Sequence, residues 1–188
     1  MFSLTMRPIS SSMHQALNII PECYVDTNLV STILGGIGVN HQKGCNNVTA
    51  RMLDKYNDSF AVGIIDCDKR KPGYLDEFEL LGQSSHLSIF KHPAKHHYII
   101  TVSPAAEGFI LSAANEAGIS MNNYGLPSDL NGLKRITKTI VSNKDSRLIS
   151  LFRDLSISGG EFATLRTILE YLMNKCYNVN VDALKALI

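Results

Sequence analysis

The sequence predicts an α/β fold, with a mostly parallel central sheet flanked by helices and an all-helical C-terminal extension. Apolar runs of strand length alternate with segments of helical periodicity through the first half of the chain. The third such run is apolar throughout, as in a strand covered on both faces. From about Ser128 onward the periodicity is helical only. The 188 residues, 45% of them hydrophobic, suffice for one well-packed core.

Strands and helices alternate in the first half of the chain. The run ALNII is closed by Pro21, and TNLVSTILGG has apolar residues at helical spacing before a glycine pair that typically ends a helix. VTARMLDKYN has one apolar face, and Asn46 or Asn47 is predicted to cap it. The elements predicted here are a strand at 16–20, a helix at 27–36, strands at 37–41 and 60–65, and helices at 48–57 and 73–82.

The second half adds two strands and then helices. HLSIFKH and HHYIITV predict strands on either side of Pro93, and AAEGFILSAANEAG predicts a helix closed by Gly118. The loop SMNNYGLPSD is the predicted boundary before the helical end. We therefore expect a flexible polar tail over 1–13, an α/β domain over 14–120, and a helical extension over 128–188 that packs on the same core.

Composition restricts the location and the partners of the protein. No apolar run reaches the roughly 18 residues that a membrane span needs, and the N-terminal segment lacks the apolar centre of a signal peptide. We therefore predict a cytoplasmic protein without membrane contact, in which the four cysteines are reduced thiols. The formal net charge of +1 gives no broad basic face, so any nucleic acid must be held locally.

Acidic residues follow two of the predicted strands. Glu22 comes after the first strand, and Asp66 and Asp68 come after the third. Because side chains alternate along a strand, Asp66 and Asp68 project to one side while Cys67 points away. Ligands of open parallel sheets bind beyond the carboxyl ends of the strands, where His41 and Lys43 also arrive after the second strand. Three carboxylates are therefore expected to converge at this edge.

A cation would relieve the repulsion within such a cluster. Two unit charges about 4 Å apart repel by roughly 4 kcal/mol at an effective dielectric constant near 20. Carboxylate oxygens, with positions left for water and phosphate oxygens, are the usual ligands of Mg²⁺, and Mn²⁺ is the natural substitute. The side chains expected to balance the charge of a bound phosphate are Lys43, Lys69, Arg70 and Lys71.

These residues resemble the Toprim (topoisomerase-primase) domain, whose pattern is a glutamate after the first strand and Asp-x-Asp after the third. Here ECYVDTNLV begins at Glu22, and Asp66 of IIDCD follows 44 residues later. The chain is most similar to small Toprim nucleases related to the overcoming-lysogenization-defect family, in which a Gly-Lys-x-Asn-like turn follows the second strand. The corresponding turn here is QKGCNNV. The resemblance covers roughly residues 14–110 and implies Rossmann-like layering.

The resemblance implies a role for each acidic residue. Glu22 would be a metal ligand and a general acid or base, and Asp66 and Asp68 would be metal ligands. Asp26 matches the second acidic position of the first motif, and Glu107 stands where related nucleases carry another acid, so both are assigned supporting roles. The sequence departs from the family at Cys23, where glycine is usual.

The expected activity is that of a magnesium-dependent phosphodiesterase acting on DNA or RNA. Its catalytic residues would be Glu22, Asp66, Asp68 and Lys43, and phosphate would be bound by Lys43, Lys69 and Arg70. The alternative is a non-catalytic Toprim-like component that binds a nucleic acid, a nucleotide or a protein within a larger assembly. The C-terminal helices are a candidate surface for such a protein partner, although their apolar stripes are explained equally by a core.

Each residue pattern also has a simpler explanation. Asp66, Asp68 and the KRK run at 69–71 also fit a solvated turn, and Asp26 also fits a helix cap. Lys43 also fits an ordinary surface lysine. The three histidines of KHPAKHHY lack a partnering Cys or acid at ligand spacing, so a hairpin turn is favoured over a zinc site. Cys23, Cys45 and Cys67 are interpreted as small buried thiols.

Overall fold

The computed structural model describes residues 15–66 and 72–188. The N-terminal tail predicted over 1–13 lies outside the described residues. The strands are β1 (Gln15–Ala16), β2 (Ile19–Pro21), β3 (Gly38–Val39), β4 (Ala61–Asp66), β5 (Glu79–Gln83), β6 (Leu87–Lys91) and β7 (His97–Val102). The helices are α1 (Tyr24–Ile33), α2 (Cys45–Asp54), α3 (Ala106–Glu116), α4 (Leu130–Thr137), α5 (Ser146–Ser158), α6 (Gly160–Lys175) and α7 (Val181–Lys185).

The main sheet has five strands in the order β2-β4-β7-β6-β5. Its core is parallel, because β4 pairs in parallel with both β2 and β7. The remaining two pairs, β7 with β6 and β6 with β5, are antiparallel. The α/β class and the helical C-terminal region are therefore confirmed, while the sheet is mixed rather than mostly parallel.

Strand β4 is covered on both of its faces. Val62 and Ile64 belong to the larger apolar cluster, which also contains the buried residues of α1, α3, α5 and α6. Ala61 and Ile65 belong to a smaller cluster that is shared with α2. Gly63 lets α2 approach closely, since a Cβ at this position would lie 2.9 Å from a methyl carbon of Val48. The prediction of a strand buried on both faces is confirmed.

The second predicted strand was expected in the main sheet, but it does not join that sheet. Only β3 forms there, and it pairs in parallel with β1 in a separate two-stranded sheet. The chain beyond β3 nevertheless follows the outer edge of β2, because the N–H groups of Asn40 and Gln42 donate to the carbonyls of Ile19 and Pro21 at 2.9 Å each. The segment therefore still arrives at the carboxyl end of β2.

The helix predicted over 73–82 was wrong. The structure has a 3-10 turn at Gly73–Glu77, followed by β5. Leu75 and Phe78 do pack on the smaller cluster, as their spacing indicated. However, β5 pairs with β6 across a bulge between Leu80 and Gly82, and such cross-strand pairing overrides a weak local helical preference.

The hairpin explanation of the histidine-rich segment is confirmed. Strands β6 and β7 are joined by residues 92–96, and the N–H of His92 donates to the carbonyl of His97 at 3.0 Å. His97 is fully buried, with Nδ1 bonded to the Tyr74 hydroxyl and Nε2 bonded to the carbonyl of Tyr56. Burial is the main reason that the pKa of His97 lies below its ordinary value. This segment lies at the opposite end of β7 from its C-terminus.

The C-terminal helices share the core of the sheet. Buried leucines and phenylalanines of α5 and α6 lie in the same apolar cluster as β4 and β7, and Phe162 stacks on Phe109 of α3 with ring centroids 4.7 Å apart. Asn28 of α1 is buried, and its amide donates to the carbonyl of Ser142 at 2.7 Å. These contacts hold the segment after α4 against the helix that follows Glu22. Within the described residues, no helix is long and apolar enough to cross a bilayer.

Candidate active site

Two of the predicted acidic residues meet at the carboxyl ends of β2 and β4. The N–H of Glu22 continues the ladder by donating to the carbonyl of Ile64 at 2.9 Å. Glu22 Oε2 in turn accepts the N–H of Asp66 at 3.0 Å, although the two residues are 44 positions apart. Asp66 Oδ1 accepts the N–H of Ala106 at the start of α3, at 3.1 Å. Backbone donors on neighbouring elements therefore orient both carboxylates.

Two further acids lie close to this pair. Asp26 is in the first turn of α1 and only 2% exposed, and Glu107 is in the first turn of α3 and 7% exposed. Burial is the main reason that the pKa of Asp26 lies well above its ordinary value, and the negative charges of Asp66, Glu22 and Glu107 raise it further. Each of the other three carboxyl groups is thus near enough to act on Asp26.

Helix α1 is not capped by Asp26. Its N-cap is Cys23, whose Sγ accepts the N–H of Asp26 at 3.4 Å and whose thiol donates to Asp26 Oδ2 at 2.8 Å. Burial and the Asp26 charge raise the pKa of the Cys23 thiol, so it serves here as a donor. Cys23 has φ −134° and ψ 173°, an extended conformation that residues other than glycine adopt readily. A residue other than glycine is therefore accommodated at this position without strain.

The remaining caps and thiols differ in part from expectation. Helix α2 begins after Gly44, with φ 93°, and neither Asn46 nor Asn47 caps it. The Asn47 amide instead donates to the carbonyl of Lys43. Cys45 is buried as expected, whereas Cys23 is half-buried at the site itself.

Glu22, Asp66 and Glu107 line a cavity of about 370 Å³ that also contains basic side chains. Lys43 is exposed at its rim, where the N–H of Gly44 donates to the carbonyl of Glu22 at 3.1 Å. Lys134 and Lys138 of the α4 segment line the same cavity from the C-terminal region. Within the described part of the chain, none of these three lysines has an ion-pair partner. Their charges are therefore available to an anion.

A histidine is also fixed at this cavity. His41 lies 4.4 Å from Tyr24 between ring centroids, with the planes inclined by 18°, and its Nδ1 is 2.9 Å from the Thr27 hydroxyl. Burial lowers the pKa of His41, and a hydrogen bond with the carbonyl of Cys23 offsets part of this effect. His41, Tyr24 and Cys23 all line the cavity.

Several predicted residues lie outside the described part of the chain. These are Asp68, Lys69 and Arg70, together with Cys67 and Lys71. Among residues 15–66 and 72–188, no three His, Cys, Asp or Glu side chains are arranged to hold a metal ion. The ligand set predicted from the sequence includes Asp68, which directly follows this edge of β4 in the chain.

Lys134 and Lys138 were not assigned to the site from the sequence, and His41 was placed at this edge without a role. Lys134 and Lys138 are four residues apart and so share a helical face, which was the only available signal. Nothing in the sequence connects that face with the end of β4. His41 was expected at this edge, but no pattern indicated the contacts that fix its ring.

Comparisons with known proteins add no relative. No protein-family model, curated protein or solved structure matches the chain.

Proposed function

We propose that this protein is a Toprim-like, magnesium-dependent phosphodiesterase that cleaves DNA or RNA. The observation that carries the proposal is that Glu22, Asp66 and Glu107 line one cavity with three lysines at one end of the parallel core, with the buried Asp26 next to them. A buried cluster of carboxyl groups is costly unless protons or cations neutralise it. A structural role alone gives no reason for this concentration of acids.

The chemical type of these donors suits Mg²⁺ or Mn²⁺. Carboxylate oxygens are hard ligands, and the backbone donors on Glu22 and Asp66 orient two carboxylates across neighbouring strands. Glu22, Asp66 and Asp68 would hold the ion, and Asp26 and Glu107 would support them. When bound, such an ion polarises the phosphoryl group and stabilises developing negative charge.

The lysines supply the contacts for a phosphate backbone. Lys43 reaches the cavity from the segment beside β2, and Lys134 and Lys138 reach it from α4. Positive charges on two sides of the cavity can hold a phosphodiester over the carboxylates. Lys69 and Arg70 would bind further phosphates of the nucleic acid. This local arrangement suits a chain whose formal net charge is only +1.

Metal binding tests the proposal before a substrate is known. Protein stripped with EDTA is titrated with MnCl₂ by calorimetry, with and without a DNA or RNA oligonucleotide. We expect saturable binding that is lost in the double variant Glu22→Gln, Asp66→Asn. The matched control is Glu79→Gln, an exposed acid on the far edge strand β5, which should bind like the wild type.

Cleavage assays with Mg²⁺ or Mn²⁺ then use end-labelled single- and double-stranded DNA and RNA. We expect products with the wild type and Glu79→Gln, and none with the double variant. A wild type that binds no Mn²⁺, even with oligonucleotide present, would contradict the proposal.

Three exposed apolar side chains in the C-terminal region favour the alternative of a non-catalytic binding component. Ile140 and Val141, directly after α4, are each 69% exposed, and Ile157 of α5 is 79% exposed. Exposed apolar side chains of this kind occur at protein-binding surfaces. Under this alternative the C-terminal helices contact a protein partner, and the Mn²⁺ titration gives no binding.

A further inference from the structure

We propose that His41 is the general base of this reaction, held by the first turn of α1 in the tautomer whose Nε2 is unprotonated. The inference rests on the proposed function, because it names the group that takes a proton from the attacking water. It assigns a role to a residue that lines the cavity and leaves Glu22 as a metal ligand.

The ring of His41 is held in two directions. Tyr24 stacks on its face, with centroids 4.4 Å apart and planes inclined by 18°. In the plane of the ring, Nδ1 lies 2.9 Å from Thr27 Oγ1. Both contacts come from the segment directly after Glu22, so the ring position is linked to that of the carboxylate. Such support by neighbouring side chains is typical of functional groups that must be oriented.

The hydrogen bonds of Thr27 determine the tautomer. A hydroxyl group has one proton to donate, and the Thr27 hydroxyl donates it to the carbonyl of Cys23 at 2.7 Å. Towards His41, Thr27 Oγ1 must therefore accept, and Nδ1 must carry the ring proton. In a neutral imidazole the other nitrogen is then unprotonated. Because Nδ1 faces Thr27, Nε2 is the nitrogen left for the cavity that His41 lines.

The ring is expected to be neutral near pH 7. Burial lowers the pKa of His41 below its ordinary value of 6.5, although the Cys23 carbonyl acts in the opposite direction. Tyr24 and Cys23 are the titratable neighbours on α1 and its cap. The charged groups that line the cavity from the other elements are the carboxylates of Glu22, Asp66 and Glu107 and the ammonium groups of Lys43, Lys134 and Lys138.

The proposed step transfers one proton. As the water oxygen bonds to phosphorus, the water O–H bond breaks and its proton passes to His41 Nε2. The bond from phosphorus to the leaving oxygen breaks with its electron pair, and that oxygen takes a proton from solvent. His41 returns its proton to solvent before the next turnover.

The tautomer can be measured without substrate or metal. Long-range ¹H–¹⁵N NMR spectra of uniformly labelled protein, with the His41 signals assigned through His41→Asn, report which ring nitrogen carries the proton. We expect a protonated Nδ1 and an unprotonated Nε2 at pH 7. In Thr27→Val, which removes the acceptor, we expect an increased fraction of the other tautomer. A proton on Nε2 in the wild type would overturn the inference.

Kinetics test the role in catalysis. His41→Asn retains an N–H donor for Thr27 but has no basic nitrogen, so kcat should fall by about 10²- to 10⁴-fold. The KM for the oligonucleotide and the affinity for Mn²⁺ should stay within about twofold, and the acidic limb of the pH profile should disappear. The control is His96→Asn, at the exposed hairpin turn, which should behave like the wild type.

The possible failures are distinguishable. If the wild type and His41→Asn are equally active, His41 is not the general base, while the phosphodiesterase proposal stands. A variant that loses Mn²⁺ affinity together with activity assigns His41 to the metal site and also overturns the base. A wild type that cleaves no substrate overturns the phosphodiesterase and, with it, this role for His41.

Discussion

Replacing Asp26 by asparagine should make the fold more tolerant of rising pH. Asp26 is 2% exposed, and its raised pKa arises first from burial and then from the nearby charges of Asp66, Glu22 and Glu107. The native state therefore binds a proton that the unfolded chain, with a pKa near 3.8, has already lost. The stabilisation from this proton is therefore fully present below the unfolded pKa, and it is lost as pH rises through the native pKa.

The expected change in stability follows from the single proton that Asp26 binds. Between the unfolded and the native pKa, the wild type loses about 1.4 kcal/mol of stability per pH unit through this group. Asparagine has nearly the same shape, can accept the Cys23 thiol, and carries no titrating proton. Relative to Asp26→Asn, the wild type should therefore lose about 2.8 kcal/mol across each two pH units of that window.

The assay is urea unfolding followed by circular dichroism at pH 5, 6, 7 and 8, with EDTA present. The difference in unfolding free energy between wild type and variant should grow with pH and level off at the native pKa. Asp54→Asn, an exposed acid in the last turn of α2, is the matched control and should give a difference that hardly changes with pH. If the difference in unfolding free energy between wild type and Asp26→Asn also hardly changes with pH, the Asp26 carboxyl is already ionised. The proposed effect of the neighbouring negative charges on Asp26 is then wrong.

Two other predictions concern the packing around Gly63 and the hydrogen-bonded carboxylate of Glu161. Gly63→Ala should destabilise the protein by about 1–3 kcal/mol in urea unfolding, because the new Cβ would lie 2.7 Å from Ile99 Cδ1 and 2.9 Å from Val48 Cγ1 of α2. An unchanged unfolding midpoint would show that the sheet and α2 are less closely packed. Burial raises the pKa of Glu161, but hydrogen bonds from Ser84 and His86 outweigh it and leave the pKa lowered. The stabilisation from the Glu161 charge is therefore present above pH 4.5 and is lost as pH falls through the native pKa. Glu161→Gln should lower the free energy of unfolding by about 1–2 kcal/mol at pH 7 and by less at pH 3. An equal loss at both pH values would refute the role of the charge.

Much of the site could be predicted because it depends on parallel strands. The apolar run 60–65 indicated a strand covered on both faces, and β4 is such a strand. Glu22 and Asp66 were expected at one sheet edge, and the hydrogen bond from Asp66 N–H to Glu22 Oε2 brings them together. The ends of adjacent parallel strands must share an edge, so position in the sequence sufficed.

Other features could not be read from local patterns. Leu75, Phe78 and Leu81 have helical spacing, yet the segment divides between a turn and β5, because pairing with β6 overrides a weak local helical preference. The run 37–41 was expected in the main sheet, but it contributes only β3 and then an irregular edge beside β2. In both segments, partners distant in the chain decided the outcome.

The sequence by itself determined the α/β class, a strand buried on both faces, the helical C-terminal region and the acidic residues at the carboxyl ends of β2 and β4. These features follow from hydrophobic periodicity and from the position of polar residues at strand ends, which are local properties. Only the tertiary structure decided that Asp26 is buried among three other acids, that Lys134 and Lys138 of α4 reach the same cavity, and that Thr27 fixes the His41 ring. Burial, charge and hydrogen bonding at these residues depend on contacts between segments that are far apart in the chain, and such contacts exist only after the core has packed.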